Sequence, residues 1–164
     1  MLKSMIYIYD TREHDGKNQH ILDVWDKMGI TYKKKKLDYG DYSFLLPANN
    51  DLGIPRDLDF SRQIVVERKA NLTELSTNLT KERERIKKEF TLAPPEKVLL
   101  IENASYSDML NGRYRSDYAP KSYWATLHSF WHEYKIPFVF MPNPAESAYF
   151  IRGYFQYWLR NFLK

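Results

Sequence analysis

Glu67 and Lys69 stand two residues apart in the segment Ile64-Val65-Val66-Glu67-Arg68-Lys69. Successive side chains of a strand point to opposite faces, so Val65, Glu67 and Lys69 share one face and Ile64, Val66 and Arg68 the other. A carboxylate and an ammonium then point to one place at the end of an apolar strand. Asp41 opens the neighbouring strand in the turn Gly40-Asp41. Adjacent strands lie about 5 Å apart, so Asp41 and Glu67 reach a single ion. Asp10 ends a third strand, and Glu13 follows three residues on. Two to four carboxylates with a lysine, in a chain without cysteine, describe a magnesium-type site rather than a zinc one. An ion held there activates water and stabilises the leaving oxygen in phosphodiester hydrolysis. The same triplet also reads as a solvated strand end with surface ion pairs, and spacing alone leaves both readings open.

The rest of the chain has to supply the strands that carry these groups. Its 164 residues predict one domain, long enough to bury a real core. Hydrophobic residues are 43% and charged residues 28%, ordinary globular usage that excludes wholesale disorder. The absence of cysteine excludes disulfide scaffolds and cysteine nucleophiles. A net charge of +4 fits a nucleic-acid partner without requiring one. The apolar run from Met5 to Tyr9 is too short for a signal peptide, and no segment approaches the roughly 20 apolar residues that cross a bilayer. These observations predict a soluble intracellular protein with no membrane partner.

Met5 to Tyr9 predicts a first strand, and Ile21, Leu22, Trp25 and Met28 a helix closed by Gly29. Residues 31–37 and 42–46 read as two strands joined by the turn Asp38-Tyr39-Gly40-Asp41. A polar insertion at 47–61 precedes the strand 63–69. Leu72, Leu75 and Leu79 mark a short helix, and Ile86 and Phe90 the apolar side of a charged one. Pro94-Pro95 breaks the chain before a central strand at 97–102. An amphipathic helix at 122–134, a strand at 136–141 and an aromatic-rich helix at 144–164 follow. This order predicts an α/β fold, a mixed sheet flanked by helices on both faces.

Gly40-Asp41-Tyr42 followed by Val66-Glu67-Arg68-Lys69 resembles the GD…ERKxxxD signature of XPF-type structure-specific nucleases. Ile8-Tyr9-Asp10-Thr11-Arg12-Glu13 resembles the D-x-R-E stretch that opens that domain. The helix ending in Gly29-Ile30 and the run Val98-Leu99-Leu100-Ile101-Glu102 fall where the family places them, so the likeness covers roughly residues 5–141. The resemblance implies a restriction-endonuclease-like fold of the PD-(D/E)xK type. It also implies a Mg²⁺- or Mn²⁺-dependent endonuclease that nicks branched or flapped DNA in replication or recombination. Stand-alone nuclease domains of this kind occur in bacteriophages and bacteria, which implies a cytoplasmic, nucleoid-associated place. Carried over position by position, Asp10, Glu13, Asp41 and Glu67 form the acidic metal site. Lys69 serves the attacking water and phosphate, and Arg68 holds the site's shape or contacts phosphate.

One position departs from the pattern. The last acid of the signature falls on Thr73, with Glu74 immediately after it. Glu74 stands in only if the helix start shifts by one residue, a rotation of about 100°. The glycine-bearing hairpins of a helix-hairpin-helix module are missing, since Gly153 is the only glycine after Gly112. Two further functions remain in view: a catalytically silent DNA-binding subunit, and a sequence-specific restriction enzyme on the same fold.

Lys33, Lys34, Lys35 and Lys36 form a run beside the Asp41 turn, read as phosphate contacts against the alternative of a protected edge strand. Arg85, on a helix of mixed charge, and Arg113 and Arg115, in a polar aromatic stretch, are the other candidate DNA contacts. Tyr42, Tyr114 and Tyr118 are candidates for stacking on unpaired bases. His128 and His132 stand at i,i+4 without a third ligand, and His14-Asp15 is isolated, so neither pair reads as a metal motif. Tyr149, Phe150, Tyr154, Phe155, Trp158 and Phe162 put aromatics on more than one face of the last helix, which predicts a homodimer through it.

Overall fold

In a computed structural model, which describes residues 1–13 and 16–164, the chain forms thirteen elements besides short 3₁₀ turns. They are β1 (Ile6–Tyr9), α1 (Gln19–Met28), β2 (Thr31–Lys34), β3 (Tyr42–Leu46), β4 (Leu58–Asp59), β5 (Ile64–Lys69) and α2 (Leu72–Lys81). The second half adds α3 (Arg83–Leu92), β6 (Glu96–Glu102), α4 (Tyr106–Leu110), α5 (Pro120–Tyr134), β7 (Phe138–Met141) and α6 (Ser147–Phe162). The strands make one seven-stranded mixed sheet in the order β2-β1-β3-β5-β6-β7, with β4 paired to β3. The central strands β3, β5 and β6 are buried along almost their whole length, as strands covered on both faces should be, with the charged residues of β5 and β6 at the strand ends.

Alternation along these strands feeds two cores. On one face Tyr7, Phe44, Val66 and Leu100 pack against Trp25 of α1 and Ile151, Phe155 and Leu159 of α6. On the other, Leu99, Ile101 and Phe138 meet Leu75, Ile86, Tyr123 and Phe130 of α2, α3 and α5. Among the described residues no helix is long and apolar enough to cross a membrane.

The structure corrects the expected pairing of 31–37 with 42–46. β2 pairs in parallel with β1, Ile6 opposite Thr31, and β3 lies antiparallel on the other side of β1, Ile6 opposite Leu45. α1 is therefore the crossover of a β-α-β unit, which a parallel pair requires. Strand pairing also stops at Lys34 rather than Leu37. Beyond it the chain is tied to the end of β1: Lys35 donates its N–H to Tyr9 at 3.0 Å, and Leu37 donates to the Asp10 carboxylate at 2.7 Å. α4 went unread in the sequence, although Ser105 and Asp108 make a reciprocal capping box at its start. The reasoning for a dimer through α6 loses most of its residues. Phe155 is buried, and Phe150, Tyr154 and Trp158 pack on the core, leaving Tyr149 and Phe162 exposed.

The turn before β3 fits only because residue 40 has no side chain. Gly40 has φ +78°, and a Cβ there would stand 2.7 Å from Val65 Cβ. We expect Gly40→Ala to combine left-handed strain with this clash and to destabilise the protein by about 1–3 kcal/mol. Urea unfolding reads this as a lower midpoint at an unchanged slope.

Candidate active site

β3 and β5 run antiparallel through the single pair Tyr42–Val66, and this brings the start of one strand to the end of the other. Asp41 donates its N–H to the Val66 carbonyl at 2.8 Å, and its Oδ2 accepts from the Arg68 N–H at 2.7 Å. Both bonds lock the Asp41 carboxylate beside β5. Glu67 and Lys69 share the face toward α2 and α3, and Lys69 Nζ lies 3.4 Å from Glu67 Oε1. Burial pushes the Asp41 carboxyl well above the usual range, and the charges of Glu67 and Glu13 push it further. Burial likewise raises Glu67, against the pull of Lys69. Burial works against the Lys69 ammonium, but Glu67, Asp41 and Glu74 outweigh it and keep Lys69 charged.

Two cavities meet at this point, and Arg12, Asp41 and Lys69 line both. One opens toward α3, past Glu67, Val65 and Phe90; the other toward the start of α2, past Glu13 and Glu74. Arg12 went unassigned in the sequence although it lies within the quoted D-x-R-E stretch. Its side chain is 61% exposed, at the mouth of the site, and Asp10 holds it by an ion pair.

Asp10 takes a different position from the expected metal ligand. Its Oδ1 accepts from Leu37 N–H, and its Oδ2 from the Arg12 N–H and Nε. Those three bonds fill most of the roughly four acceptor positions of a carboxylate. Asp10 is fully buried and lines neither cavity. Arg68, on the opposite face of β5, is buried too. Its Nη1 donates to Glu102 Oε1 at 2.6 Å and its Nη2 to Glu13 Oε2 at 3.0 Å, which ties it into the frame of the site, and it lines the second cavity. Glu102 Oε2 in turn accepts from Ser147 Oγ and meets His20 Nε2 at 2.7 Å. The sequence carried one sign of this network, a carboxylate closing the apolar run of β6.

Among the described residues no three His, Asp or Glu side chains cluster closely enough to hold a metal ion by themselves. Asp41 and Glu67 nevertheless suit Mg²⁺, which takes one or two carboxylates and completes its shell with water and substrate phosphate. Two half-buried acids, each pushed toward its neutral form, gain most from a nearby cation.

Residues 9–154 match the sequence profile of the ERCC4 domain. The chain belongs to the ERCC4 domain family. Its fold is similar to that of XPF from Aeropyrum pernix, with a TM-score of 0.66 at 20% identity over 94% of this chain. The same protein in a complex with DNA gives a TM-score of 0.67 at 18% identity over 95%. The chain spans 65% and 66% of the length of those two chains. Its sequence has no match among curated proteins.

Within this ERCC4 domain the departure at residue 73 has a structural reading. Thr73 Oγ1 accepts from the Arg115 N–H at 2.9 Å, so it anchors the loop after α4. Glu74 is the acid that lines the cavity of Asp41 and Lys69. Asn71 caps its N–H, and its own Oε2 accepts from Ala70, both at 2.8 Å. Arg113 and Arg115 line the groove that continues from Glu74. Arg113 is paired with Asp108, and Arg85, at the wall of the α3 cavity, with Glu82 and Glu89. Lys33, Lys34, Lys35 and Lys36 are exposed along the β2 edge, line neither cavity, and Lys35 pairs with Asp59 at 2.6 Å. Tyr42 is fully buried, and Tyr114 and Tyr118 pack on Tyr123, so none stands ready to stack on a base. His128 meets the Tyr106 hydroxyl at 2.8 Å, and His14-Asp15 lies outside the described residues.

A carboxyl raised on folding binds its proton more tightly in the native state, so it costs stability as pH climbs above the unfolded value of about 4. Asp41→Asn removes that cost and keeps an acceptor for Arg68 N–H. In chelator at about pH 8 we expect the variant to melt higher than wild type, by about 2–4 °C for each kcal/mol, with the gap closing toward about pH 4. Mg²⁺ should raise the melting point of wild type and not of the variant. Thermal melts at the two pH values check both.

Proposed function

We propose that the chain is a Mg²⁺- or Mn²⁺-dependent DNA endonuclease that hydrolyses phosphodiester bonds at branched or flapped DNA, in the cytoplasm with the nucleoid. The observation that carries this reading is the convergence of Asp41 and Glu67 at adjoining strand ends, lining one cavity with Lys69 beside them. Asp41 and Glu67 would hold the ion, whose contribution is charge stabilisation at the phosphate and a more acidic water. Lys69, kept charged by its acidic neighbours, orients that water and meets a phosphate oxygen. Arg12 reaches the same phosphate from the cavity mouth. Glu74, on the wall of the second cavity, receives the water's proton. Glu13, Arg68 and Asp10 position these groups, and Asp10 does so through Arg12 and the turn before β3.

DNA as the substrate is supported by the related XPF solved in complex with DNA. Lys33, Lys34, Lys35, Lys36, Arg85, Arg113 and Arg115 supply phosphate contacts along the strand on either side of the site. The intact group of Asp41, Glu67 and Lys69 speaks against a catalytically silent subunit.

Cleavage of a flap, a fork, a four-way junction and a plain duplex in Mg²⁺ tests the reading. Branched substrates should be cut and the duplex spared. Glu67→Gln, Asp41→Asn and Lys69→Met should each lower the rate by about 10²-fold or more while binding persists. Wild-type cleavage by Glu67→Gln would overturn the assignment. Changing the four lysines to Gln should flatten the salt dependence of binding, its log–log slope falling by about 0.9 for each phosphate no longer neutralised.

A further inference from the structure

The cavity toward α3 continues beyond the groups that chemistry needs. It holds about 190 Å³, and an apolar cavity of about 150 Å³ admits a benzene ring. Its far wall is apolar, built from Val65, Phe90, Ala93 and Ile136, with Tyr39 also on the lining. Val65 lies two residues before Glu67 on the same face, about 7 Å along the strand. The charged lining cancels: Arg12, Lys69, Arg85 and Lys97 face Asp38, Asp41, Glu67 and Glu89. A balanced, apolar-walled space suits a flat ring better than a second phosphate.

One buried donor sits in this wall. Lys97, opposite Val65 in the sheet register, is 7% exposed. Among the described residues its side chain makes one hydrogen bond, from Nζ to the Pro94 carbonyl, at 3.1 Å. An ammonium carries three donors, so two remain for a ligand.

We propose that this cavity receives the base of an unpaired nucleotide adjoining the scissile phosphate, an inference that rests on the nuclease reading above. The ring lies against Val65, Phe90 and Tyr39, and a base carbonyl oxygen accepts from Lys97. A base inside a duplex is stacked and paired, whereas one already single-stranded enters at little cost. The cavity therefore selects single-strand-bearing DNA and holds the base through an acceptor on its edge.

The test uses forked DNA carrying pyrrolocytosine, a fluorescent base that keeps its carbonyl, at each of three nucleotides around the branch in turn. Binding to wild type in Ca²⁺ should quench one position. An abasic residue at that position should weaken binding about tenfold or more. Ala93→Leu, which fills the cavity, and Lys97→Met should remove both effects while plain-duplex binding is unchanged. Tyr39→Ala, on the cavity lining, serves if either variant melts below wild type. No quenching at any position, or equal binding of abasic and intact forks, overturns the base cavity even where forks are cleaved. Failure to cleave any fork in Mg²⁺ overturns the nuclease reading instead, and the quenching measurement is unaffected by it.

Discussion

The guanidinium of Arg68 is the point on which the site depends. It is buried on the face of β5 opposite Glu67 and Lys69, between Glu13 and Glu102. Through Glu102 it reaches Ser147 at the start of α6 and His20 in α1, and through Glu13 the segment after β1. Four parts of the chain thus converge on one side chain of one strand. Removing a partner from such a buried pair costs about 3–5 kcal/mol, a large share of the 5–15 kcal/mol that holds a domain together. The pairing adds little stability over an apolar packing of the same shape. What it adds is a fixed register for the strand end, so that the two side chains on the working face cannot drift.

A second clamp does for β3 what Arg68 does for β5. The Asp10 carboxylate gathers the Leu37 and Arg12 N–H groups, and Asp10 donates its own N–H to the Asp41 carbonyl at 2.8 Å. The turn before Asp41 is held from one side by Asp10 and pressed on the other against Val65 through Gly40. Two well-satisfied carboxylates, Asp10 and Glu102, therefore surround two poorly satisfied ones, Asp41 and Glu67. That contrast separates two kinds of acid here: Asp10 and Glu102 are fully buried and well supplied with donors, whereas Asp41 and Glu67 are half-buried on the cavity walls with fewer donors each.

Alternation and spacing made most of this legible. The two faces of β5, the apolar β6, the helices flanking them and the adjacency of Asp41, Glu67 and Lys69 all follow from local pattern. The misread parts depend on partners distant in sequence. Residues 38–41 have the composition of a hairpin turn, and nothing nearby reveals that Asp10, 27 positions before Leu37, redirects them. Trp158 of α6 read as an exposed aromatic because the rings that pack on it, Phe44 and Phe60, lie some hundred residues earlier. Asp10 and Glu13 share one motif, yet the fold gives one to the turn and the other to Arg68. A motif fixes which residues meet but not which lone pairs are left over.

The cations illustrate the same limit on reading a sum. The net charge is +4, yet Lys35, Arg85 and Arg113 are each committed to carboxylates within the fold. A phosphate that approaches one of them must exchange with an internal partner, and an exchange gains less than a new ion pair. The basic surface is then a modest attractor. If the chain discriminates between DNA structures as proposed, the basis lies in the shape of the site itself, where Arg12 lines the mouths of both cavities. On the proposed nuclease reading, a weak general attraction leaves selection to the lining of the site, where Arg12, Asp41 and Lys69 stand on the walls of both cavities.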